Sequence, residues 1–325
     1  MITLIHFSIL YPILVALIIK TLITMGEFSK RIGEIGEDIV SDFINMIGWN
    51  NPQKNFDIPS VDPAKHMKNS HGIDAYFHYR SPMITNTLEN IVISSKFSKD
   101  KYPNTPVEKF KEYYKDLGYA IESFKKSELR NATLNNHSSL EATFDRGVLF
   151  WLNNVESDNT DLLQKLSKIE VPKDLTHDGI FLVDNKRIEF LYDVLKFVNY
   201  TYSGSDIQFT YFNTGLNSDD SSSKNGTIMP VQYLSSPIIP FRIQKDKDIT
   251  LVICTSDNFE QAELIKLMGL AKNIGINLQN NTVIAFPDYN RLQHEQIVAN
   301  TKQIFEESSF TNSLTIENFN LSLRG

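Results

Sequence analysis

The chain of 325 residues has one cysteine, Cys254. No intrachain disulfide can form, and neither a disulfide-stapled secreted scaffold nor a cysteine-based zinc site is available. A reducing cytoplasm fits. Glycine and proline are sparse, 14 and 12, and no glycine-rich phosphate loop, internal repeat, coiled coil or zinc-ligand spacing is found. Excess positive charge is also missing. With 32 Lys+Arg against 39 Asp+Glu the net charge is −7, so any nucleic-acid surface has to be local. What is present is 41% hydrophobic and 22% charged residues, enough to bury a real core. That composition excludes collagen-like, low-complexity and wholly disordered chains, and the length suggests two domains or one core with a large addition.

Residues 1–24 differ from the rest: they hold one Lys and no acid, and the charge-mixed pattern begins abruptly at Met25. The uncharged stretch Ile2–Ile19 would make about 27 Å of helix against a hydrocarbon core of ~30 Å, and Pro12 interrupts it. A cleaved signal would carry Lys or Arg before the apolar run and a small-x-small site after it, and both are absent. Three readings stand: Met25 as the true start, which the composition favours, a membrane anchor, and a signal.

From Ser29 to Gly48, Ile32, Ile35, Ile39, Val40, Phe43, Ile44 and Ile47 recur at helical spacing, which predicts an amphipathic helix. A loop is expected through Asn69, then strands over Ile73–Tyr79 and Glu89–Phe97 joined by a turn at Ser81-Pro82. Thr105-Pro106-Val107-Glu108 reads as a capping box opening a helix to about Leu129, and Gly147–Leu152 as a doubly covered strand. The order is α-β-β-α-β. Beyond it the pattern predicts helices over Leu162–Ile169, Arg187–Val198, Phe259–Ile274 and Arg291–Glu307. Strands are expected over Gly179–Val183, Ile207–Phe212, Val231–Tyr233, Ile249–Cys254 and Thr282–Phe286. The polar stretch Asn217–Gly226 is the candidate boundary.

On the helical wheel Glu34 and Asp38 fall on the solvent side, whereas Glu37 borders the apolar stripe beside Val40 and Ile44. A carboxylate there is partly desolvated and needs a cation or a donor; a rim Glu paired with a Lys would explain it alone. In the first strand Asp74, Tyr76 and His78 share one face, and Ile73, Ala75, Phe77 and Tyr79 the other. Aspartate is depleted in strands, so Asp74 is either a strand-end turn residue or a metal ligand. In the next strand Val92, Ser94 and Lys96 share one face; a solvated edge lysine would account for Lys96 alone.

Together, IGEIGEDIV (Ile32–Val40), HGID (His71–Asp74) and ISSK (Ile93–Lys96) in this order resemble the PD-(D/E)XK nuclease superfamily over about residues 26–152. More narrowly they are similar to the nuclease subunit of GapS-type two-component bacterial anti-phage systems. The resemblance implies a restriction-endonuclease-like α/β core, a mixed sheet flanked by helices, with an additional α/β C-terminal region. The division expected is an extension over 1–24, a nuclease-like domain over 25–216 and a region of unknown role over 227–325. It further implies a metal-dependent DNA endonuclease in the bacterial cytoplasm, working with a second protein subunit. Glu37, Asp74 and the Ser95 main-chain carbonyl would hold Mg²⁺ or Mn²⁺, and Lys96 would orient the attacking water. The position two before the lysine departs from the pattern: it is Ser94 where an acid is usual. Glu37 or, less directly, Glu89 would compensate; otherwise the chain is a silent DNA-binding or complex-forming subunit. Residues 96–130 carry nine Lys/Arg against six acids, which makes Lys99, Lys101, Lys109 and Lys115 candidate DNA contacts, although Lys/Glu pairing on a solvated helix explains the excess as well. A chain starting at Met25 is expected to fold and keep its activity; folding with lost activity, in expression and cleavage assays, would point to an anchor instead.

Overall fold

The computed structural model describes residues 25–155, 158, 160–217, 224–274, 280–305 and 307–320; the extension over 1–24 and residues 218–223 of the boundary stretch lie outside the described residues. Helix α1 (Met25–Met46) buries Val40, Phe43 and Ile44, the C-terminal part of the stripe its periodicity predicts; the side chains of Ile32 and Ile35 lie outside those described. Strand β1 (Gln53–Pro59) follows where a loop is expected, then a one-turn helix α2 (Pro63–His66) capped by Asp62. Strands β2 (Ser70–Arg80) and β3 (Thr87–Ser98) lead into α3 (Val107–Phe124), α4 (Glu128–Asn135) and β4 (Ala142–Asn153). A short α5 (Leu162–Leu166), β5 (Ile180–Val183) and α6 (Asn185–Thr201) complete this part.

The first sheet runs β1-β2-β3-β4-β5; β1, β2 and β3 pair antiparallel, and β3, β4 and β5 parallel. Helix α1 packs on one face, against Ala75, Ile91, Ile93, Val148 and Phe150. Helix α3 covers the other, with Phe110, Tyr114, Leu117 and Ile121 against Val92, Leu149 and Trp151. With helices on both faces, β4 is apolar on both sides, as its sequence predicts.

The second sheet is built from β6 (Asp206–Thr210), β7 (Asn225–Gly226), β8 (Ile238–Lys245), β9 (Asp248–Thr255), β10 (Asn281–Phe286) and β11 (Leu314–Asn318), in the order β11-β10-β9-β8-β6-β7. Helices α7 (Gln261–Ile274), α8 (Arg291–Ile304) and α9 (Ser308–Ser313) connect the strands of its parallel part. One apolar cluster continues from α1 through α6 into β6, β8 and β9, so the two sheets share a core. Among the described residues, no helix is long and apolar enough to cross a membrane.

Several expectations need correction. The capping box does not form: α3 starts at Val107, its cap position is Pro106 with a helical backbone, and no side chain caps it. That helix stops at Phe124, where Ser127 opens α4 by accepting a hydrogen bond from Arg130 N–H (3.2 Å). Val231–Tyr233 belongs to a 3₁₀ turn rather than a strand; Tyr233 and its apolar neighbours are buried without pairing. Ile73 also departs from alternation. It packs in the α3-side core with Tyr76, whereas Ala75 packs on the α1 side. The register partners agree: Phe56 opposite Ile73 faces α3, and Lys54 pairs with Ala75. Between these pairs stand Asn55, with φ +50°, and Asp74, so both strands change face there.

One contact sets how closely α1 approaches the sheet. A Cβ on Gly36 would lie 2.3 Å from the Cβ of Phe97, so only glycine lets the helix settle against the end of β3. Gly36→Ala is expected to gain ~0.5–1 kcal/mol of helix propensity and lose ~1–3 kcal/mol to overpacking. The urea midpoint should therefore fall. An unchanged midpoint would mean that α1 shifts freely.

Candidate active site

The ladder between β2 and β3 has its last pair at Ala75 and Ile93, while β3 runs on beside β4 as far as Ser98. From that pair onward β2 and β3 part, which leaves β3 amide groups without a strand partner. Asp74 fills the gap: Ser95 N–H donates to its Oδ2 at 2.5 Å, a charge-assisted bond in place of a ladder bond. In an extended strand the N–H and C=O of one residue point the same way, so the Ser95 carbonyl opens on the same fork.

Helix α1 closes the fork from one side. Glu37 and Asp74 line one small cavity of about 70 Å³ together with Ser95, Ile93 and, on α1, Asp38 and Ser41. That volume is several times the ~10–15 Å³ one water needs. Asp38 is exposed yet stands at the cavity mouth. Lys96 does not line the cavity; its ammonium lies 5.7 Å from the centroid of the Tyr113 ring on α3, and its charge still acts on Asp74. Burial pushes the Asp74 carboxyl above its ordinary range, and the Ser95 amide, the Lys96 charge and the Ser94 hydroxyl pull against that shift.

The donor set suits a hard divalent cation, with two carboxylates and a carbonyl around room for water, because Mg²⁺ is usually held by one or two carboxylates and keeps several waters. Among the described residues, no group of three or more His, Cys, Asp or Glu side chains could hold a metal by itself. Ser94 lies beside Asp74 but lines a separate, smaller cavity with His71 and Asp116 on the α3 side. Glu89 stands apart. It is five residues back along β3, about 17 Å at ~3.4 Å per residue, fully buried, and held by Arg146 Nε at 2.7 Å and Gln232 Nε2 at 3.0 Å.

Several of the basic residues after β3 are paired: Lys109 with Glu112 (2.8 Å), Lys111 with Glu108 (3.5 Å), Lys125 with Asp178 (3.3 Å) and Arg130 with Asp145 (2.9 Å). Lys109 also lies 4.8 Å from the Tyr113 ring centroid and Lys115 5.4 Å from that of Tyr119. Lys99 and Lys101 are exposed just beyond β3. The sequence pattern does not single out Lys54 and Asn55, which also line the cavity, because it predicts a loop where β1 forms. The alternation of Phe56 and Ile58 was the available signal. His71 serves the approach to β2: its Nε2 lies 2.9 Å from His66 Nδ1, and His66 Nε2 lies 3.1 Å from Glu122.

A mixed sheet forked at one end, with helices on both faces and an acid at the fork, is a restriction-endonuclease-like core. The chain belongs to the family described as the GAPS4 protein PD-(D/E)XK nuclease domain, whose model matches residues 25–187, half of the chain. It therefore carries a nuclease domain. No curated protein and no solved structure matches it.

The raised pKa of Asp74 has a testable consequence for stability. Below the ordinary carboxylate range Asp74 is protonated in both folded and unfolded chains and costs nothing. As pH rises through the window between the ordinary and the raised value, the unfolded chain ionises first, and the folded state loses stability. Asp74→Asn, in metal-free buffer, should therefore raise the thermal midpoint at neutral pH, and the gain should vanish at acid pH. A lowered midpoint at neutral pH would show that the charged hydrogen bond outweighs desolvation.

Proposed function

We propose that the protein is a divalent-metal-dependent deoxyribonuclease of bacterial anti-phage defence, cytoplasmic and partnered by a second subunit. The observation that carries this reading is the meeting of Glu37, Asp74 and Ser95 around one cavity, with the Lys96 charge acting on Asp74, inside a domain of a nuclease family.

In this reading Asp74, Glu37 and the Ser95 carbonyl hold Mg²⁺ or Mn²⁺, which supplies charge for the phosphoryl oxygens and acidifies a bound water. The Ser95 amide holds Asp74 in one rotamer facing the cavity. Burial of Asp74 makes its carboxylate eager for a cation, since charge in a desolvated site needs a partner. Lys96 approaches from the α3 side, orients the attacking water and offsets negative charge as it develops. Glu37 supplies from α1 the second acid that β3 lacks at Ser94. Ser94 also favours a second reading, a silent DNA-binding subunit, because a neutral hydroxyl replaces the usual strand carboxylate and is already engaged with Asp74.

Cleavage of circular and linear DNA, with and without Mg²⁺ and with the neighbouring gene product, separates the two. The expected outcome is metal-dependent cutting abolished equally by Glu37→Ala and Asp74→Ala and little changed by Ser94→Ala, with DNA affinity and folding retained. If Ser94→Glu raises activity at limiting Mg²⁺ while Glu37→Ala is mild, the strand position is the ligand site. Absence of cutting under every metal and partner condition would establish the silent subunit.

A further inference from the structure

The cavity at the fork has a fourth wall, made by β1, and it carries a cation. Lys54 lines the cavity with Glu37, Asp38 and Asp74, and among its described lining residues Lys54 is the one Lys or Arg. In a regular strand Lys54 would share a face with Phe56 and Ile58, which pack toward α3. The left-handed backbone of Asn55, φ +50°, reverses that. It turns Lys54 toward α1, where its ammonium donates to the Ser41 hydroxyl, one helical turn beyond Glu37. Asn55 and Asp74 are the two residues left between the pairs Lys54–Ala75 and Phe56–Ile73 of the β1–β2 register. The same irregularity thus sets Asp74 at the fork and Lys54 at its mouth.

We propose that Lys54 is a phosphate-contacting residue of this site, holding the phosphate next to the one that is cut; the proposal rests on the nuclease reading above. A DNA strand entering here meets three carboxylates, Glu37, Asp38 and Asp74, which a bound divalent cation would offset only in part. Lys54 puts positive charge on the α1 side, and Lys96, near Tyr113, puts it on the α3 side. A strand crossing the fork therefore has a cation on either side of Asp74. An ammonium carries three donors, so the bond to Ser41 orients Lys54 without exhausting it. Lys54 is exposed, which leaves its replacement without cost to the core.

The test compares the full-length protein with Lys54→Gln, which keeps a donor for Ser41 but no charge, and with Lys54→Arg. Binding of a DNA duplex is followed by fluorescence anisotropy in Ca²⁺ over a range of salt, and cleavage in Mg²⁺ is followed in parallel. One phosphate contact contributes about 0.9 to the slope of log K against log salt. Lys54→Gln should lower that slope by about 0.9, weaken binding several-fold and raise KM with kcat within about two-fold, at an unchanged thermal midpoint; Lys54→Arg should restore the slope. A wild-type slope in Lys54→Gln overturns the proposal while leaving the nuclease reading intact. If the wild-type chain binds DNA with no salt dependence and cuts none, the nuclease reading fails, and the role of Lys54 fails with it.

Discussion

The site depends on one substitution of partners: a side-chain carboxylate takes a hydrogen bond that a strand would otherwise take. Where β2 leaves β3, the Ser95 amide would be a half-buried donor with nothing to meet, a loss of about 1–3 kcal/mol. The Asp74 carboxylate accepts it at 2.5 Å. The bond ends the ladder cleanly and leaves the fork open. It also fixes an acid at the point where the sheet stops being regular, which is where a ligand can approach backbone and side chain together.

The surroundings tune that acid by opposed effects. Burial under α1 raises its proton affinity, while the Ser95 amide, the charge of Lys96 and the Ser94 hydroxyl oppose the shift. The closeness of α1 comes from Gly36 lying against Phe97. A carboxylate held in this balance is costly unless opposite charge or donors offset its desolvation.

The second sheet is joined to this core by α6. Arg187, in its first turn, is buried and donates to the carbonyls of Leu234 (2.6 Å), Tyr233 (2.6 Å) and Ser236 (2.5 Å), and burial pushes its pKa down to about 10. Glu89 serves the same junction, bridging Arg146 and Gln232. Its carboxylate is thus accounted for by structure rather than by chemistry, which is why it lies far from Asp74.

Local pattern was sufficient wherever burial follows a fixed period. The stripe of α1, the apolar run of β4 and the strand and helix alternation of the C-terminal half are visible because each is amphipathic or wholly apolar along its own length. Glu37 and Asp74 were legible as well, since an acid at the edge of an apolar stripe and an acid inside a strand both demand an explanation, whereas Ser95 came into view only through the family resemblance. The sequence could not show β1, four of whose seven side chains are exposed and polar, nor the face change at Asn55 and Asp74. Alternation predicts a side chain's face only while the backbone stays extended, and a left-handed residue breaks the rule without any change in hydrophobicity. Thus the sequence by itself determined which residue types the candidate site draws on, and only the tertiary structure decided that Lys54 lines its cavity and Glu89 does not. Their distances depend on where strands part and helices settle, which is a property of packing between segments and not of any segment alone.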